Sequence, residues 1–146
     1  MAKASRTLHF NKPVEDAFGF SALVHANGLI HLAGIISIDE QAQVLFPNDM
    51  AKQIDRIYDI MEITLGKCGA NLSHVVSEVM YATDMGKLME HAGVRAKRYA
   101  RVAYPAATAV QVVALAFPGA LLEIQATAQL EGAEWSPDVP PVNSPV

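Results

Sequence analysis

Two apolar, β-prone runs, Ala107 to Leu115 and Leu121 to Leu130, flank a Phe117-Pro118-Gly119 break in the stretch YPAATAVQVVALAFPGALLEIQATAQL, Tyr104 to Leu130. Proline beside glycine interrupts a strand, so the pattern predicts two strands joined by a turn, a hairpin or another paired arrangement. A chain with two such strands must build a sheet around them. Side chains alternate along a strand, which puts Leu122, Ile124, Ala126, Ala128 and Leu130 on one face and Glu123, Gln125, Thr127 and Gln129 on the other. Glu123 is the only carboxylate of that strand. By the same period Ala107, Ala109 and Gln111 face one way, and Thr108, Val110 and Val112 the other. If the two runs pair, residues this small leave a hollow beside a lone glutamate.

The remaining elements read in chain order. Residues 6 to 10 form a first short strand that Asn11-Lys12-Pro13 ends. Phe20 to Ala26 and Leu29 to Ala33 are strands joined through Asn27-Gly28, a pair that tolerates the positive φ angles of a tight hairpin turn. Residues 38 to 48 are polar and turn-like. From Asp49 to Gly69 the period becomes helical, with Met50, Ile54, Ile57, Tyr58, Met61 and Leu65 on one stripe, Asn48 or Asp49 at the cap and Gly69 past the end. Val75 to Thr83 is a further strand. Asp84 opens a second amphipathic helix with Met85, Leu88, Met89, Ala92, Ala96 and Tyr99 inward. These elements predict an α+β fold, two helices on one face of a mostly antiparallel or mixed sheet. The outer sheet face is half apolar, which calls for burial against other subunits.

With 146 residues, 51% of them hydrophobic, the chain can bury a sizeable core as a single domain over 1–132. A tail over 133–146 holds four prolines and is expected to be extended or disordered. A net charge of -4 argues against general nucleic-acid affinity, which needs a basic surface. No apolar run approaches the roughly 20 residues that span a bilayer, and the N-terminal MAKASRTLHF lacks a signal core, so a cytoplasmic protein with no membrane role is expected. The single cysteine, Cys68, cannot form an internal disulfide and reads as buried structure rather than as a nucleophile. The five histidines lack metal-ligand spacing, and there is no phosphate-binding glycine loop or Ser-His-Asp pattern; no metal and no cofactor are expected.

Several segments in this order and spacing resemble the reactive-intermediate deaminases, the Rid or YjgF-type family, over about Phe18 to Gly132. They are Gly28 with LIHLAG, the helix end GKCGANLSHVV, VMYATDM before the second helix, YPAAT, and PGALLEIQATA. The resemblance implies a chorismate-mutase-like fold with a six-stranded sheet, assembled as a homotrimer whose intersubunit clefts take a small-molecule substrate bearing a carboxylate. It further implies hydrolysis of an imine or enamine with release of ammonia, in which an arginine clamps the carboxylate and a glutamate assists a water. Here the arginine position falls at Ala107, the nearby cysteine at Ala109, the strand serine at Ala33, the helix asparagine at Ala92 and the tyrosine at Phe20; the glutamate remains, as Glu123. Alanine cannot replace the two parallel charge-assisted hydrogen bonds of a guanidinium.

A glutamate left in a small apolar cleft acquires a raised pKa suited to acid-base work, whereas the ordinary meaning of a strand carboxylate is a wet face. His31 shares parity with Ala33 and can return some polarity to the cleft, though a half-buried structural role is the commoner one. His91, beside Ala92, reads as a surface residue. Arg95, Arg98 and Arg101 with Lys97 offer a carboxylate anchor from a shifted position, or simply a solvated helix face. Two classes of function remain: an imine or enamine hydrolase centred on Glu123, and a non-catalytic trimer that binds a metabolite or a protein partner through the same cleft. Ammonia release from a panel of imines separates them.

Overall fold

The Asp49 carboxylate accepts a hydrogen bond from the Lys52 amide at 3.0 Å and so starts helix α2, Met50–Gly66. Its stripe is buried as the periodicity requires: Ile54, Ile57, Tyr58, Met61 and Leu65 are all fully covered, and Gly69 takes a left-handed φ of 78° just past the end. This is the ridge on which the sheet packs. The structure, a computed structural model, describes residues 6–130, so the tail expected over 133–146 lies outside the described residues. Truncating Ile57 to alanine is expected to cost about 2–5 kcal/mol, through lost burial and the cavity left behind. Urea unfolding of the variant beside the wild type measures it, and an unchanged midpoint would mean that the helix does not rest on this stripe.

The sheet contains seven strands among the described residues, in the order β1-β2-β3-β7-β5-β6, with the two-residue β4 (Ile35–Ile36) beside β7. β1 is Arg6–Leu8, and β2 (Leu23–Ala26) and β3 (Leu29–Leu32) form the expected hairpin. Asn27 and Gly28 there have φ of 52° and 76°, so both central residues adopt the left-handed geometry that matches strand twist. β5 is Val75–Ala82, β6 Ala106–Gln111 and β7 Leu122–Gln129. Every pairing is antiparallel except β5 with β6, which is parallel.

That parallel pair corrects the hairpin expected for Tyr104 to Leu130. β6 and β7 do not pair; β5 lies between them, and the Phe117-Pro118-Gly119 segment carries the chain past it. A parallel neighbour needs a crossover. α3 (Met85–Glu90) and α4 (Ala92–Arg98) provide it between β5 and β6. β7 takes the sheet centre because Leu122, Ile124, Ala126 and Ala128 give it one wholly apolar face, covered to 2% exposure or less. β6 is left at the edge with all six residues exposed.

Two further differences are local. Where a strand stop was expected at Asn11-Lys12-Pro13, a short helix α1, Lys12–Phe18, begins. The Asn11 side chain accepts from the Val14 amide at 3.2 Å, proline occupies the first turn, and Gly19 ends it at φ 77°. Buried Glu15 secures α1 by accepting from the Phe10 and Asn11 amides at 2.9 and 3.0 Å and pairing with His9. The second long helix is two pieces, broken at His91. Met89, expected inward, is largely exposed, while Leu88 and Tyr99 are buried.

The α+β class holds: α2 and the α3–α4 pair cover one sheet face. Gln53 fixes the entry to β7 from α2, donating to the Phe46 and Gly119 carbonyls at 3.0 and 2.9 Å and accepting from the Leu121 amide at 2.8 Å. No helix among the described residues is long and apolar enough to cross a membrane.

Candidate functional site

Glu123 and Tyr81 are cross-strand partners, as are Glu123 and Ile36, so the carboxylate rises from the outer face between an aromatic and an aliphatic neighbour. Gly34 leaves the room it occupies. A Cβ added there would stand 1.9 Å from Glu123 Oε1 and 2.7 Å from its Cδ, so any side chain at position 34 displaces the carboxylate. Glu123 is half-buried and makes no hydrogen bond or ion pair among the described residues. Burial pushes its pKa above the ordinary carboxylate value.

That shift has a sign that can be measured. An acid whose folded pKa exceeds its unfolded one costs the fold stability once the pH rises above the unfolded value; the cost disappears in strong acid. Glu123→Gln is therefore expected to melt above the wild type at neutral pH and level with it near about pH 3, below the ordinary glutamate range. Equal melting temperatures at both pH values would mean that the carboxylate is well solvated in the folded protein.

The opposite face carries a second polar group. Glu78 on β5, 2% exposed, accepts from the Tyr58 hydroxyl at 3.0 and 2.9 Å, from the Tyr99 hydroxyl, and from Arg95 Nε and Nη2 at 2.9 and 2.7 Å. Tyr58 and Tyr99 meet edge to face at 5.7 Å between centroids, and the Arg95 guanidinium lies 5.3 Å from the Tyr99 ring centre. Burial, then the neighbouring carboxylate, raises both phenols well above their usual range, so they remain donors to Glu78. Beside this cluster is a hollow of about 110 Å³ between β5, β6 and the α3–α4 pair, lined by Met80, Leu88, Met89, Ala92, Arg95 and Ala109 among others.

The seven residues singled out in the sequence thus separate by sheet face. Glu123 and exposed His31, whose partner is Thr127, lie on the outer face, and Ala33 follows β3 with the parity of His31. Ala92 and Ala109 line the hollow on the helix side, and Ala107, paired with Glu78, shares that side. Phe20 stands exposed in the link between α1 and β2. One chain alone does not bring Glu123 to Ala92, Ala107 and Ala109.

Of the cations weighed on α4 and just after it, Arg98 is committed to α2, at 2.7 Å from Asp59 and 2.8 Å from Glu62, and Lys97 and Arg101 are exposed. Arg95 alone turns into the hollow. His31 is not half-buried but exposed, and His91 sits at the helix break. Cys68 is wholly buried and its thiol pKa is raised by that burial, which leaves it inert as a nucleophile. The sequence reading missed Glu78, Tyr81 and the role of Gly34. A signal for Glu78 was present: it shares strand parity with Met80 and Ala82, and two inward tyrosines need an acceptor.

A family model described as Endoribonuclease L-PSP matches residues 11–130. The protein DfrA of Myxococcus xanthus is 32% identical over 105 residues, 72% of this chain and 79% of that protein. Among solved structures, a member of the YjgF/YER057c/UK114 family from Mycobacterium tuberculosis is 30% identical with a TM-score of 0.75, over 87% of this chain and 100% of that one. A YjgF family member from Neisseria meningitidis is 28% identical with a TM-score of 0.69, over 91% of this chain and 100% of that one.

Proposed function

The chain belongs to the endoribonuclease L-PSP family, the YjgF or Rid type, and from that premise we propose that it hydrolyses a small reactive imine, enamine or conjugated amino-acid intermediate with release of ammonia. The observation that carries the reading is Glu123, a desolvated carboxylate without a partner among the described residues, seated over a glycine between Ile36 and Tyr81. Carboxylates perturbed in this way cluster at sites of acid-base chemistry.

In the reaction, Glu123 takes a proton from water as its oxygen bonds to the imine carbon. That proton passes to the imine nitrogen to complete the carbinolamine; the carbinolamine hydroxyl then gives its own proton through Glu123 to nitrogen as the C–N bond breaks and the C=O forms, leaving a carbonyl compound and ammonia. A carboxylate with a raised pKa suits both transfers near neutral pH. An enamine needs one further step, protonation at carbon, to reach the same imine.

A site that unites Glu123 with Ala92, Ala107 and Ala109 needs two copies of the chain, because these residues lie on opposite faces of one sheet. The wholly exposed edge strand β6 and exposed Val76 and Val110 support such an assembly. We expect a homotrimer, and light scattering at micromolar concentration tests it; a monomer mass would remove the intersubunit site.

RNA cleavage, the activity in the family model's description, suits this chain poorly because a net charge of -4 disfavours a polyphosphate backbone. The reading that competes is a non-catalytic trimer that binds a metabolite or a protein partner through the same cleft, favoured by the alanines at 33, 92, 107 and 109. A panel of imines generated in situ, with ammonia as the readout, decides between them. Release above the buffer rate supports the hydrolase, and none on any imine leaves the binding protein.

A further inference from the structure

Charge is spread unevenly over the two sheet faces. On β7 the outer face reads Glu123, Gln125, Thr127 and Gln129, and residues paired across a ladder share a face. Their partners on β3, β4 and β5, and the partners of those on β1, β2 and β6, include no lysine, no arginine and no further carboxylate. Arg6 on β1 pairs with His25, itself opposite the fully buried Ile30, which puts it on the helix-side face. Among the described strand residues the outer face thus holds one carboxylate and no permanent cation. His31, the one group there able to take up a positive charge, lies opposite Thr127, four residues and about 13 Å along β7 from Glu123, beyond the screening length of about 8 Å in physiological salt. The link from β6 to β7, residues 112–121, has no charged residue either. A second copy that completes the site brings Ala92, Ala107 and Ala109, and the cation beside them, Arg95, is already paired with Glu78 at 2.7 Å, so the two add no net charge.

A substrate with its own carboxylate sets a second anion against half-buried Glu123, with no cation to offset the repulsion. A neutral imine meets no such repulsion, and its protonated form, an iminium ion, supplies the counter-ion that Glu123 lacks among the described residues. We propose that the substrate is an imine without a carboxylate, the product of two-electron oxidation of a primary aliphatic amine, held as its iminium ion over Glu123 with its hydrocarbon against Ile36, Tyr81 and Val110. The inference rests on the hydrolase reading and deepens it by naming the substrate class and the reaction, amine oxidation, that must supply it. The iminium nitrogen already holds its proton, so the oxygen of water bonds to carbon as one water proton passes to Glu123, giving the neutral carbinolamine. Glu123 returns that proton to nitrogen, then accepts the hydroxyl proton as the C–N bond breaks and the C=O forms. An aldehyde and ammonia leave, and the last proton follows ammonia as ammonium.

The test pairs two imines that differ only in the carboxylate. A flavin-dependent amine oxidase with O2 makes one from 3-methylbutylamine, and a flavin-dependent amino-acid oxidase with O2 makes the other from leucine. Ammonia release above the buffer rate is expected to be greater for the amine-derived imine by about 10-fold or more, the effect of one like charge held near another in a poorly solvated site. Equal or greater acceleration of the imino acid overturns the proposal and leaves the hydrolase reading standing; acceleration of neither removes both. A binding measurement checks the cause. In an NMR titration of the full chain, 3-methylbutylammonium should bind more tightly than 3-methylbutanoate by about 10-fold or more, and Glu123→Gln should remove that preference. A carboxylate that binds the wild type as well as the ammonium does, or an ammonium preference that survives Glu123→Gln, overturns the proposal as well.

Discussion

Glutamine at position 123 is expected to lower the turnover of an imine substrate by about 10²–10⁴ while leaving assembly and ligand binding intact. The amide has nearly the shape of the carboxylate it replaces, and the carboxylate gives up no hydrogen bond or ion pair among the described residues, so little in the fold depends on its charge. Its removal is expected to raise stability slightly, so a loss of rate is separable from unfolding by the melting temperature. What the amide cannot do is accept the proton of the attacking water or return it to nitrogen. Gly34→Ala offers an independent route to the same end, since its Cβ would take the place of Glu123 Oε1 and force the carboxylate aside. Both variants should lose kcat with the fold preserved. Wild-type rates in either would take Glu123 out of the chemistry.

Glu78→Ala is expected to cost about 3–5 kcal/mol, the range for removing one partner of a buried ion pair. The variant strands the Arg95 guanidinium and the Tyr58 and Tyr99 hydroxyls together, all of which donate to Glu78. It is this loss of satisfaction, and not the attraction within the pair, that sets the size of the effect. Urea unfolding with an unchanged slope would report it as a lower midpoint. A control separates the two causes: adding Arg95→Met, Tyr58→Phe and Tyr99→Phe to Glu78→Leu removes donors and acceptor alike and should recover much of the loss. A Glu78→Ala variant within measurement error of the wild type would mean that water replaces the carboxylate at no cost.

Local pattern carried most of the fold into view. α2 was legible because its stripe, cap and terminal glycine all agree, and the Asn27-Gly28 hairpin because two residues of that kind in succession specify one turn. β6 and β7 were assigned correctly as strands and wrongly as partners. Adjacency in sequence favours a hairpin, and only the competition of β7 and β6 for the two sides of β5 decides otherwise. α1 was hidden because seven residues give too few turns for a period, although Asn11, Pro13 and Gly19 are its start and stop. The candidate site was legible in its one carboxylate. Its division between two sheet faces was not, since that follows from the parallel register of Glu78 with Ala107 and Met80 with Ala109, which no single strand contains. Arg95 stood among four cations on and beside α4, and nothing in the spacing set it apart from Arg98; the difference is that one meets a buried glutamate and the other an acidic stripe on α2.

The central place of β7 sets the order in which this chain can fold. Its partners β3 and β5 precede it by about a hundred and about fifty residues, in pairs such as Ile30 with Ala128 and Met80 with Ile124. Until β7 emerges from the ribosome, the β1–β2–β3 unit and the β5–β6 unit each expose a bare strand edge with nothing to join them. Sheets dominated by such distant pairings fold slowly, and their half-made forms are prone to aggregate. Chains stalled or cut before residue 122 should therefore behave as two sticky halves and not as a smaller version of the same protein, with β7 acting as the seam that closes them.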